Sequence, residues 1–115
     1  MTLKLVPDFN GVQHGVHPHN PFQGYFSYRL VCDGNDVGRV RGIFTSDEHA
    51  RTPDPKGSHV YIDQFEMRDV DKDPVEKIAS LREATLKLHP HVRSIGGLRR
   101  RDGERRFVNV PFRAQ

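Results

Sequence analysis

Short runs in which apolar and polar residues alternate dominate the pattern of this chain. Alternation with a period of two predicts a strand with one buried face. Such runs occupy residues 3–6, 25–32, 37–44, 60–67, 92–98 and 105–112. The run over residues 25–32 is the clearest, and it places Phe26, Tyr28, Leu30 and Cys32 on one face. We therefore predict a sheet of about five to six strands.

The residues between the runs predict how the strands connect. Asp33-Gly34-Asn35-Asp36 and Asp102-Gly103 contain residue types that tolerate positive φ, as tight hairpins require. Two hairpins of this kind make the predicted sheet mainly antiparallel. Residues 45–58 combine prolines, glycine and charged residues without any period, which predicts an exposed and mobile loop.

The run over residues 60–67 differs from the others because both of its sides are apolar. Strict alternation puts Tyr61, Phe65 and Met67 on one face and Val60 and Ile62 on the other. A strand with two apolar faces is typical of the centre of a sheet.

One segment has a helical period instead. Asp73 can cap the helix, Pro74 suits its first position, and Glu76 can bond back to the cap. Apolar residues then recur at helical spacing and form one stripe: Val75, Ile78, Leu81 and Leu88. Arg82 and Thr85 interrupt this stripe, so we expect its edge to reach solvent. The pattern predicts a helix over residues 73–88.

The N-terminal part of the chain is less regular. Residues 8–24 are rich in Gly, His, Asn and Pro and have no period, so residues 1–24 are interpreted as a first strand followed by an irregular arm. The sheet and helix then occupy residues 25–115. A chain of 115 residues favours a single domain, and the order of elements predicts the α+β class.

Composition narrows the setting in which the chain works. Hydrophobic residues make up 35% and charged residues 29%, and no segment has the apolar length of a membrane span. Cys32 is the only cysteine, so no disulfide can form within the chain. We expect a buried thiol and a reducing compartment, the cytoplasm.

The arm carries three closely spaced histidines. His14, His17 and His19 have the spacing H-x2-H-x-H, and three neutral imidazoles can bind zinc or nickel. No cysteine accompanies them, and Asp8 is the only carboxylate nearby. We expect exposed or partner-contacting histidines, with a metal site as the alternative.

Two carboxylates on the run over residues 60–67 are candidates for acid-base chemistry. Asp63 or Glu66 could act as a general base if burial raised its pKa toward neutrality. No nucleophile or oxyanion donor is placed beside them by a motif. An ion pair with one of the arginines is the structural alternative.

Positive charge is concentrated at the C-terminal end. The last seventeen residues contain six arginines: Arg99, Arg100, Arg101, Arg105, Arg106 and Arg113. Arginines on a hairpin can bind phosphates, and charge on an edge strand also prevents pairing with other sheets. Phe107 is the only aromatic residue near the turn, so no platform for base stacking is evident.

Several of these segments resemble the GNAT acetyltransferase superfamily. The segment VYIDQFEMRDVDKDPVEKIASLREATLKL is similar to its fourth strand and following helix, with Ile62, Phe65 and Met67 at the apolar positions. Gly97-Leu98 and the RRRDGERRFVNV hairpin are similar to its C-terminal end. The resemblance covers residues 25–112. As one alternative it implies an acetyl-CoA-dependent N-acyltransferase with Asp63 or Glu66 as base.

The same comparison shows what the chain lacks. The family binds pyrophosphate on a Gly-rich loop at a helix N-terminus, whereas residues 68–73 contain no glycine and three aspartates. The arm also replaces the two helices that help to form the acceptor site. We therefore expect a non-catalytic interaction or structural protein without a cofactor, of the kind that phages encode, acting in the host cytoplasm or the virion.

The sequence leaves several alternatives for the binding partner of this protein. We expect a protein partner or a second copy to bind the arm. Nucleic acid bound at Arg99, Arg100, Arg101, Arg105 and Arg106 is a further alternative.

Overall fold

The computed structural model describes the backbone of residues 3–9, 18–68, 74–101 and 104–111. Side chains are described for residues 3–9, 18–68 and 76–97. Most of the predicted arm, including His14 and His17, and the predicted helix cap Asp73 lie outside these ranges.

Six strands form one sheet in the order of the sequence. They are β1 (Leu3–Pro7), β2 (Tyr25–Cys32), β3 (Asn35–Thr45), β4 (His59–Met67), β5 (Ser94–Arg101) and β6 (Glu104–Pro111). The helix α1 (Pro74–Leu88) connects β4 to β5, which are parallel, and all other neighbours are antiparallel. The predicted α+β class and mainly antiparallel sheet are confirmed.

The hydrophobic core lies between α1 and one face of the sheet. The predicted inward face of β2 is buried, and it meets Val40 and Phe44 of β3 and Leu81 of α1. The turn before β3 also follows the prediction, because Asp33 and Gly34 have φ of 53° and 83°. Positive φ at both central residues gives the turn whose twist suits a two-residue hairpin.

A bulge in β4 overturns the predicted faces of that strand. Arg41 pairs with Gln64 and Gly42 pairs with Ile62, so Asp63 is an extra residue in β4 with no paired residue in β3. One extra residue reverses the alternation beyond it. Ile62, Phe65 and Met67 therefore share the face toward the core with Val60, while Tyr61 lies on the opposite face.

The buried stripe of α1 also differs from the prediction. Leu81, Ala84 and Thr85 are buried, whereas Leu88 is 51% exposed. Thr85, expected at a solvent-exposed edge, is 0% exposed because the stripe follows residues 81, 84 and 85 instead of continuing to residue 88.

The segment over residues 46–58 is attached to the sheet at both ends. The Asp54 amide donates to the Phe44 carbonyl (2.8 Å), and the Arg93 amide donates to the Ser58 carbonyl (2.6 Å). Gly57 lies so close to the Thr45 backbone that a Cβ atom would overlap it. Residues 46–47, 49, 51–52 and 55–56 are exposed, as predicted for this loop, whereas Thr45 and Gly57 are buried.

The described part of the arm belongs to the fold. The Asp8 amide donates to the Ser27 carbonyl (3.0 Å), and the His19 amide donates to the Asp8 carbonyl (2.8 Å). A single 3₁₀ turn, Pro21–Gln23, then leads into β2. The first bond extends the β1–β2 pairing by one residue, and the second attaches His19 to the end of β1. The described ends of the arm are therefore held by the sheet, which the sequence did not predict.

The pairing of β5 changes along its length. β4 and β5 pair only where His59–Ile62 lie beside residues 94–97, whereas β5 pairs with β6 along all of Ser94–Arg101. Residues 98–101 and 104–107 thus form a two-stranded extension, which we call the arginine ribbon.

Gly42 provides a test of the bulge, because a Cβ atom there would overlap the Tyr61 carbonyl oxygen. We expect Gly42→Ala to lower the free energy of unfolding by about 2 kcal/mol or more, the usual cost of forced overpacking. Urea unfolding followed by circular dichroism measures it. Gly34→Asn is the control, since nothing lies within 4 Å of that turn position and Asn tolerates positive φ. Equal stability of the two variants would show that the strands do not approach this closely.

Candidate functional site

The arginine ribbon brings together the five arginines that the sequence nominated on this hairpin. In its register Arg99 lies opposite Arg106 and Arg100 lies opposite Arg105. Arg101 lies opposite Glu104. Like charges directly opposite each other in a ladder are destabilising, so two consecutive pairs of this kind favour an anion beside them.

The charge of the chain is concentrated in the same place. Residues 98–107 contain five arginines against Asp102 and Glu104, an excess of three, which equals the formal net charge of +3 of the whole chain. The rest of the chain is therefore neutral in sum. The ribbon is therefore the part of the chain that attracts polyanions electrostatically.

A second pair of opposed arginines lies between β2 and β3, away from the ribbon. Arg29 of β2 lies opposite Arg39 of β3, and both are exposed. Here Asp36 approaches Arg29, with 3.9 Å between Oδ2 and Nη1. This pair has a carboxylate within the fold and makes a natural control for the ribbon.

The expectation that the arm histidines are exposed is wrong for His19. Its side chain is 8% exposed, and its Nδ1 accepts a hydrogen bond from the Ser27 amide (3.2 Å). A nitrogen that accepts from an N–H carries no proton, so the imidazole is neutral with its proton on Nε2. Burial, and then the charge of His89, lowers the pKa of His19 to about 4.

The metal alternative receives no support from the part of the chain that is described. His14 and His17 lie outside it, and the described residues contain no group of three or more His, Cys, Asp or Glu placed to bind a metal. His19 uses Nδ1 for the sheet, which leaves only Nε2 for any other contact.

His89 belongs to an aromatic cluster under the end of α1. Its Nε2 lies 2.6 Å from the Tyr28 hydroxyl, and its ring packs against Phe26 and Phe44. Burial, and then the charge of His91, lowers the pKa of His89, and burial raises the pKa of Tyr28. Both groups therefore stay neutral near pH 7.

Asp63 and Glu66, the two candidate bases, have different surroundings. Asp63 is the bulged residue of β4, and desolvation raises its pKa while the charge of Arg41 opposes the shift. Glu66 lies 3.6 Å from Arg68, measured from Oε1 to Nε, and both side chains are about half exposed. The Asp63 pKa is thus shifted in the direction that a general base requires, while the residue itself is exposed.

Asp63 also lies where β4 and β5 separate. Ile62 and Gly97 form the last pair between these strands, and Asp63 follows at once. Both strands continue beyond this point, β4 to Met67 and β5 to Arg101, without pairing with each other.

A partly buried polar cluster lies on the face away from α1. The Arg41 guanidinium lies 3.7 Å from the Asp8 carboxylate, and its Nη1 donates to Gln64 (3.3 Å). Ser27 lies opposite Arg41 and is 1% exposed. These residues are far apart in sequence and have no common motif, so only the strand register could reveal them.

The arm ends display the most exposed large apolar residues of the described chain. Phe9 is 67% and Phe22 is 90% exposed, whereas Phe26 and Phe44 are buried. Contact of a protein partner with the arm stays a prediction.

Comparisons with models of known protein families, with curated proteins and with solved structures found no match for this chain. The resemblance to acetyltransferases therefore stays a prediction based on residues 25–112. Within the described ranges, no helix combines the length and apolar character needed to span a membrane.

His19 makes stability depend on pH. Its pKa is lowered from 6.5 to about 4 on folding, so its contribution is complete above pH 6.5 and is lost as the pH falls toward 4. We expect this group to account for about 3 kcal/mol of acid destabilisation. Measuring the free energy of urea unfolding between pH 7.5 and about 4 tests this, at intervals that resolve a single transition.

His19→Asn should flatten that dependence, because the amide oxygen can accept from Ser27 without titrating. The lowered pKa values of His59 and His89 would leave a smaller slope of the same sign. His49→Asn, at an exposed position, is the control. An unchanged slope in His19→Asn would rule out the neutral acceptor role.

Proposed function

We propose that this protein is a non-catalytic interaction protein that binds nucleic acid through the arginine ribbon. The observation that carries the proposal is the register, which places Arg99 opposite Arg106 and Arg100 opposite Arg105 beyond the last pairing with β4. A two-stranded ribbon has dimensions that a nucleic-acid groove accommodates.

The physical basis is the release of counterions. Each phosphate that an arginine neutralises releases condensed cations, so binding weakens steeply as salt increases. Such contacts fix position without reading sequence. The local excess of three positive charges suits this mode, because the ribbon meets the phosphates while the remaining chain contributes no net charge.

Replacing Arg99, Arg100 and Arg101 together by alanine tests the proposal. We expect at least tenfold weaker binding to a labelled 20-nucleotide DNA, since up to about three phosphate contacts are lost. The slope of log K against log salt should fall by about 2 to 3. Fluorescence anisotropy from 50 to 200 mM salt measures both quantities.

Arg29→Ala combined with Arg39→Ala is the matched control. It also removes an opposed arginine pair, but one that has Asp36 beside it, so binding should change little. If both variants lose affinity equally, the binding is a diffuse effect of net charge. If the wild-type chain binds no nucleic acid at 50 mM salt, the proposal fails.

Acetyl-CoA-dependent N-acyl transfer is a second candidate, favoured by the position of Asp63. An amine would attack the thioester carbonyl, the C–S bond would break, and the CoA thiolate would leave while a base takes the proton of the amine. The Asp63 carboxylate follows the last β4–β5 pair, and desolvation raises its pKa, which is the direction that suits this base. The aspartates of residues 69–73 oppose phosphate binding and make this the weaker candidate.

Calorimetric titration with acetyl-CoA, followed by a transfer assay with small amines, tests the second candidate. If it is correct, Asp63→Asn should keep the affinity for acetyl-CoA and lose at least about a hundredfold in rate, the size of a general-base contribution. Glu66→Gln is the control, because Glu66 is exposed and lies beside Arg68. Absence of acetyl-CoA binding at millimolar concentration would remove this candidate.

A further inference from the structure

The face of the sheet opposite α1 contains a second feature next to the arginine ribbon. Ile95 is buried in the core beside Val60, so Gly96, which alternates with it, lies on the opposite face. Continuing the alternation places Leu98 and Arg100 on this outer face. Their partners in β6, Phe107 and Arg105, lie there as well.

Tyr61 belongs to the same outer face. It pairs with Gly96 of β5, and Gly96 in turn pairs with Asn109 of β6, so these three residues form one row across the sheet. Phe107 lies one row further toward the tip of the ribbon. From standard strand spacings, the Cα atoms of Tyr61 and Phe107 are about 12 Å apart, and Gly96 lies on the strand between theirs.

The ring of Tyr61 makes a cation–π contact with Arg51. The Arg51 guanidinium carbon lies 4.2 Å from the ring centroid, and Arg51 itself is exposed. Aromatic rings and guanidinium planes are the two surfaces on which proteins stack unpaired bases. The sequence showed only Phe107 near the turn, whereas the register adds Tyr61 on the same face.

The two faces of the ribbon therefore differ in chemistry. The outer face combines the Arg100–Arg105 pair with the Leu98–Phe107 pair in the next row. The other face has Arg99 opposite Arg106 and Arg101 opposite Glu104, with no aromatic residue among them. Among positions 98–101 and 104–107, only the outer-face set contains both arginines and an aromatic residue.

We propose that the outer face at Tyr61, Phe107, Arg100 and Arg105 binds single-stranded nucleic acid, with bases stacked on the aromatic residues and phosphates held by the arginines. This inference rests on the proposed nucleic-acid function and specifies its substrate. A duplex keeps its bases stacked inside, so it can use only the arginines. A single strand uses both features and binds more tightly.

The experiment compares a single-stranded oligothymidylate of 12 nucleotides, the matching oligouridylate, and a 12-base-pair duplex under the same salt conditions. Wild-type protein should bind at least one single strand about tenfold more tightly than the duplex. The DNA and RNA arms show which sugar is preferred. Phe107→Leu and Tyr61→Leu each keep an apolar side chain but remove the ring, and each should weaken single-strand binding about tenfold.

Duplex binding should not change in either variant, because it depends on the arginines. Phe22→Leu is the matched control, since it removes a 90% exposed aromatic ring that lies outside the strands. Circular dichroism and the melting temperature confirm folding, and Phe107→Leu provides an independent test if Tyr61→Leu does not fold.

The outcomes separate the two proposals. Equal affinity for single strand and duplex, with no effect of either ring substitution, overturns the stacking inference and leaves the arginine ribbon as the binding surface. Failure of wild-type protein to bind any of the three oligonucleotides overturns both. Tighter single-strand binding that either ring substitution abolishes supports the inference.

Discussion

Four residues on each of β4 and β5 attach the C-terminal hairpin to the rest of the sheet. His59–Ile62 lie beside residues 94–97, and beyond that point β5 pairs only with β6. A parallel pair needs a crossover, which α1 supplies, so the helix that covers the core also fixes where β5 begins. Both proposed functions depend on the end of this pairing, because it separates the ribbon from β4 and leaves Asp63 directly after the last paired residue.

Local patterns predicted the elements of the fold well, and the bulge shows where they fail. Alternation identified all six strands to within a few residues, and the Asp33-Gly34 turn followed from residue types that tolerate positive φ. The faces of β4 were wrong because one extra residue at Asp63 reverses the alternation. Nothing in the sequence VYIDQFEM marks which residue is extra, since that depends on how β3 aligns with it.

In the candidate sites too, features formed by sequence neighbours were predicted, and features formed by distant residues were not. The five arginines of the ribbon were visible as a cluster because they are neighbours in sequence. Their pairing in opposed positions, and the proximity of Tyr61, required the strand register. His19 was misinterpreted because its acceptor role toward Ser27 replaces a sheet partner, and a histidine in an irregular segment gives no sign of such a bond. Long-range contacts of this kind have no local signature in the sequence.

The excess of positive charge lies on the part of the sheet that extends beyond β4, and this favours a polymeric anion over a small one. At 0.1 M salt the field of exposed charges decays over roughly 10 Å, so the arginines act only on groups in near contact. Opposed arginines cost roughly 0.2–1 kcal/mol per pair, which one small ion can offset at one pair but not at both. The two pairs lie on opposite faces of the ribbon, so one small ion cannot reach both, whereas a chain of phosphates can contact several arginines and loses the entropy of joining only once.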